Sequence, residues 1–126
     1  MRNLRKIQPH LQSQLDDIVK TLISSYPEKI KINKLKWYVT DTYKGRSLYD
    51  GQFTVPMWAY EKGIDYFTYY TAHELAHQVT RQKHGENHNH DAKFYSVFRE
   101  LCPAHLQHHE LRYKKRAKIY IVRNSE

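Results

Sequence analysis

The segment His73-Glu74-Leu75-Ala76-His77 sets two imidazoles four residues apart, with a carboxylate directly after the first. On a helix, residues four apart lie on one face, one turn above the other. Both imidazoles can then address a single ion at Zn–N distances of about 2.0–2.1 Å. Glu74 projects beside them and is not required as a ligand. The chemistry on offer is metal-assisted hydrolysis. Zinc polarises a carbonyl and lowers the pKa of a water to about 7, while Glu74 takes the water's proton and later delivers it to a leaving amine.

A catalytic zinc usually has three protein ligands and one open position. The chain has nine histidines, and eight of them lie between His73 and His109. Downstream candidates for the third ligand are His84, His88, His90, Asp91 and Glu100. His84 follows His77 by two helical turns, which places it about 10 Å further along the axis. His90 leads, because it stands immediately before the N-cap of the next helix, where a loop can fold back under the metal. His88 competes from two residues earlier, and Glu100 would serve from inside the following helix. His105, His108 and His109 read as solvated or helix-terminal.

These residues must be positioned by helices and a small sheet. Residues 9–25 read as a helix, with Pro9 in its first turn and Leu11, Leu15, Ile18, Val19 and Leu22 forming one apolar face. Asp16, Asp17 and Lys20 are expected to face water. Residues 30–40 read as a strand, because Leu35, Trp37 and Val39 alternate with Lys34, Lys36 and Tyr38. A turn over 41–50 leads to a second strand around Phe53 and Val55 that stops at Pro56. The two strands are expected to pair as an antiparallel hairpin in a small antiparallel or mixed sheet. Asp65 is the expected N-cap of the helix that carries His73 and His77, which runs to about Lys83 and ends at Gly85. Asp91 is the expected N-cap of the next helix, with Phe94, Val97, Phe98 and Leu101 as its core face and Pro103 closing it. A further helix is expected within 104–117 and a short strand over 119–122.

Bulk properties bound the class. The 126 residues fit one domain, 1–126, with no repeat or Pro/Gly-rich linker. Hydrophobic residues at 40% and eleven tyrosines exclude a disordered chain. No run of about 18 apolar residues predicts a membrane span, and no signal-type stretch follows the basic N-terminus. Cys102 is the sole cysteine, so no internal disulfide can form, and a reducing interior such as the cytoplasm fits.

The stretch Ala72-His73-Glu74-Leu75-Ala76-His77-Gln78, followed by His90-Asp91-Ala92-Lys93-Phe94-Tyr95 and an apolar helix, resembles the SprT-like and WLM families of zinc metallopeptidases. The match covers about residues 64–102. The resemblance implies a minimal α+β, zincin-like metallopeptidase core, zinc ligands His73, His77 and His90, and Glu74 as general base. No cysteine pairs follow, so the zinc ribbon of some SprT-like proteins is absent. These relatives include proteases of DNA-associated proteins, and small proteins of this pattern also occur in phage genomes.

Substrate and partner expectations follow. In metallopeptidases of this architecture an edge strand holds the substrate backbone. Gly51-Gln52-Phe53-Thr54-Val55 is the candidate, with an ordinary core strand as the competing reading. Tyr66 and Tyr70 share the stripe of His73 and His77, so one of them could line the cleft, while most of the cluster Tyr66, Phe67, Tyr69 and Tyr70 reads as core. Net charge is +8. Arg112, Lys114, Lys115, Arg116 and Lys118 surround Tyr113, a pattern suited to nucleic-acid contact and equally to a solvated helix face. The expected function is zinc-dependent hydrolysis of a protein or peptide substrate. The alternative is a basic nucleic-acid-binding protein with a structural or inactive zinc site.

Overall fold

The computed structural model describes residues 9–85 and 90–111 of the chain. His88, the basic run 112–118 and the expected strand 119–122 lie outside the described residues.

Helix α1 spans Pro9–Ser25 and buries Leu11, Leu15, Val19 and Leu22, while Ile18 packs partly buried against the same core. One polar residue departs from expectation. Asp16 accepts a hydrogen bond from Trp37 Nε1 at 2.8 Å, whereas Asp17 and Lys20 are exposed. Neighbouring Gln12 donates to Trp37 O at 3.1 Å and accepts from Val39 N at 3.0 Å. Its amide thus replaces a strand neighbour along an otherwise open sheet edge.

Three strands form the sheet: β1 (Lys36–Thr40), β2 (Arg46–Ser47) and β3 (Gln52–Pro56), in the order β1-β3-β2. The first strand is shorter than expected, because Ile32–Lys34 forms a 3₁₀ turn ahead of it. The expected antiparallel hairpin between the two longer strands is not formed. β1 and β3 pair in parallel, with Val39 opposite Val55. The segment 41–51 does not turn directly back. It runs out and returns, and on the way supplies β2, which pairs antiparallel with β3. Gly51 makes this return possible. Its φ is +93°, and an added Cβ would lie 2.0 Å from Lys34 O, so both the backbone and the space demand glycine. The sheet is therefore mixed, and the architecture is α+β.

Helix α2 (Met57–Glu61) starts directly after Pro56 and buries Met57 and Ala59. It was hidden in the sequence by its brevity. Helix α3 (Ile64–His84) is the centre of the molecule and packs against β3, α1, α2 and the next helix. Its N-cap is Gly63, at φ 114°, and not Asp65. Asp65 sits in the first turn instead, where a carboxylate favours the helix dipole. Helix α4 (Ala92–Leu101) is capped as expected, Asp91 accepting from Phe94 N at 3.0 Å. Phe94, Val97, Phe98 and Leu101 are buried, and Tyr95 joins them. Beyond Pro103 the chain forms a 3₁₀ turn at Ala104–Leu106 and the short α5 (His108–Leu111) in place of one continuous helix. No helix among the described residues is long and apolar enough to cross a membrane.

Candidate metal centre

His73 and His77 occupy successive turns of α3, and His90 reaches them from the start of the α4 segment. One ligand atom from each of these three residues falls within 4.8 Å of the others. His73 Nε2 and His90 Nε2 converge to 3.1 Å. Nitrogens bonded to one tetrahedral zinc at about 2.0–2.1 Å would lie roughly 3.3–3.4 Å apart, so the donor set fits such an ion. His90 takes φ 52°, a left-handed backbone that is uncommon for a residue with a side chain. Strain of this kind collects at functional sites, and here it accompanies the turn of the imidazole toward α3. Phe94 backs all three rings, with centroid distances of 5.2, 4.4 and 5.0 Å to His73, His77 and His90.

The surroundings of His77 suit a neutral ligand. Burial pushes the His77 pKa down to about 2, and the charges of His73 and His90 act in the same direction. Metal binding requires that unprotonated form. His73 is fixed from behind. Its Nδ1 lies 2.7 Å from Glu110 Oε1, and Glu110 is fully buried. Tyr69 and Tyr95 hydroxyls also donate to the Glu110 carboxylate, at 2.8 and 2.9 Å. Burial alone would raise the pKa of Glu110. The hydrogen bonds from His73, Tyr69 and Tyr95 and the charge of His73 outweigh it and hold the carboxyl at about 2. An ionised Glu110 fixes the His73 proton on Nδ1 and turns the Nε2 lone pair toward the converging nitrogens.

Glu74 is buried beside the imidazoles. Burial raises its pKa, against the lowering effects of His73 and of a hydrogen bond from Ser47. Ser47 Oγ lies 2.7 Å from the Glu74 carbonyl and 3.2 Å from Oε1. Through it β2 is tied to α3 at the motif.

Glu100 and His84 are exposed and do not join the cluster. His105 and His108 are exposed as expected. His109 is half-buried, with its ring 5.2 Å from both Tyr66 and Tyr69. Gln52–Pro56 is paired on both sides, so β3 is a central strand and not the expected substrate-binding edge. The edge beside Glu74 is β2. Tyr66 and Tyr70 both line a cleft of 670 Å³ that opens at His73, Glu74 and His90, and Tyr69 lines it too. Phe67 is core.

Glu110 and Ser47 were missed in the sequence. A signal existed for Glu110, since a metal-binding histidine commonly gives its second N–H to a carboxylate, and Glu110 is one of the few acidic residues after the motif. Ser47 carried none, because only the return of the 41–51 segment brings it to Glu74. No family model, curated protein or solved structure matches the chain, and its functional reading therefore rests on the site.

Proposed function

We propose that the protein is a zinc-dependent metallopeptidase with a minimal zincin-like fold. The observation that carries this reading is the convergence of His73, His77 and His90 to within 4.8 Å beside the buried carboxylate of Glu74. Among the described residues this cluster has three members, the number of protein ligands usual at a catalytic zinc. Zinc bound there supplies Lewis acidity to a substrate carbonyl and to the attacking water. Glu74 would accept the water's proton on its carboxylate and deliver it to the amine nitrogen as the peptide C–N bond breaks. Its raised pKa suits a group that must both take and return a proton. β2 offers its outer edge to the substrate backbone. The single buried Cys102 suits an intracellular setting, and the basic residues 112–118 suit a nucleic-acid-associated substrate.

Elemental analysis of purified protein tests the site directly. About one zinc per chain is expected in the wild type, retained in Glu74→Gln and lost or weakened in His90→Ala. Protein hydrolysis should disappear in Glu74→Gln, which removes the base and keeps the ligands. A wild type without zinc after reconstitution would sink the enzyme reading, and zinc retained in full by His90→Ala would sink the ligand assignment.

A further inference from the structure

The cleft runs from the imidazoles along a wall of five rings: Tyr43, Trp58, Tyr66, Tyr69 and Tyr70. Three of their polar tips are committed to the protein. Trp58 Nε1 donates to Tyr43 O at 2.8 Å, Tyr70 Oη accepts from Gly45 N at 2.8 Å, and Tyr69 donates to Glu110. The wall therefore offers apolar surface. Two lysines, Lys44 and Lys62, also line the cleft. Lys62 Nζ sits 5.3 Å from the Trp58 ring centroid and 5.2 Å from that of Tyr66, so cation–π attraction holds the ammonium at the wall. Among the described residues it meets these rings and no carboxylate. The two acidic residues lining the cleft are engaged elsewhere, Glu74 by Ser47 and Glu110 by His73, Tyr69 and Tyr95.

We propose that this part of the cleft is a specificity subsite for an acidic side chain, Asp or Glu, of the polypeptide substrate, with Lys62 as its main partner and Lys44 as a second cation. The assignment rests on the peptidase reading. The aliphatic stem of the substrate residue lies on the rings, and its carboxylate meets Lys62. A basic side chain meets a cation already in place and is repelled. An uncharged side chain gains no charge pairing with the ammonium, so it binds less well than a carboxylate.

The test uses peptides blocked at both ends that differ only in Glu, Gln or Lys at positions flanking the cleaved bond. With zinc-loaded wild type, kcat/KM for the best Glu peptide should exceed that for its Gln counterpart by about fivefold, mainly through KM. The ratio should fall to about one in Lys62→Gln, and the Lys peptide should become the preferred one in Lys62→Glu. A second arm needs no turnover. Glu74→Gln protein is titrated with the same peptides while tryptophan emission, to which Trp37 and the cleft-lining Trp58 both contribute, is followed, and tighter binding of the Glu peptide is expected. If wild type cuts nothing but Glu74→Gln protein still prefers the Glu peptide, the peptidase reading fails and the subsite stands. Equal cleavage and binding of Glu and Gln peptides overturns the subsite and leaves the peptidase. A preference that appears only with unblocked C-termini overturns it in favour of a terminal-carboxylate pocket.

Discussion

His73 is held on one side by Glu110 and faces the converging imidazoles on the other. The 2.7 Å contact fixes ring orientation and tautomer together, and a carboxylate in that position also increases the basicity of the ligating nitrogen. Glu110→Gln keeps the volume but removes the charge, and it leaves one acceptor oxygen in place of the two that take Tyr69 and Tyr95. We expect this substitution to lower zinc affinity by about 10–100-fold, measured by competition with a chromophoric chelator. Unchanged affinity would reduce Glu110 to a core residue that pairs Tyr69 and Tyr95. Among the residues, His73, Glu74 and His77 were legible because fixed helical geometry converts their spacing into proximity. His90 was legible only as the leading member of a set, since nothing local decides whether a loop histidine folds inward or out.

Elements differ in how much of their arrangement is local. The helices α1, α3 and α4 declare themselves through apolar periodicity, and Asp91 caps α4 where its type and position predict. Strand pairing does not declare itself, because Leu35, Trp37 and Val39 alternate in the same way whether the neighbouring strand is parallel or antiparallel. The direction was set by the path of segment 41–51, and Gly51 is the residue on which that path turns. Gly51→Ala should destabilise the protein by about 1–3 kcal/mol from its backbone conformation alone, with the clash at Lys34 O added. Urea denaturation measures this. A loss below that range would mean that the turn relaxes without cost to the pairing of β2 and β3. Because β2 carries Ser47, the same variant should also displace the partner of Glu74 and lower the proposed peptidase activity.

At the scale of the whole molecule, the site places ionisable groups in the interior, and folding stability must respond to pH. In the folded protein His77 is pushed from 6.5 down to about 2, and Glu110 from 4.5 down to about 2. In both cases the unfolded chain binds the proton more readily, so acid favours unfolding. The raised Glu74 works in the opposite sense above its ordinary value of 4.5, and Glu74→Gln removes that contribution. Metal-free Glu74→Gln protein should therefore lose stability as the pH falls below about 6.5, and lose it more steeply below about 4.5, where Glu110 joins. Denaturant midpoints between pH 7 and pH 4 measure the effect. A flat profile would mean that neither group is protected in the folded state.

Local patterns along the chain were enough to identify the pair of imidazoles with Glu74 beside them, the helices that carry them, the cap of α4 and the mixture of helix and strand. Each follows from interactions within a few residues, where chain geometry leaves little freedom. Long-range packing was needed to bring His90 to the pair, to set Glu110 behind His73, to place β2 rather than β3 beside Glu74, and to lay Lys62 on the aromatic wall of the cleft. Those placements join residues separated by 17, 37 and 27 positions in the first three contacts. They depend on how loops close and how faces pack together, and spacing along the chain does not encode that.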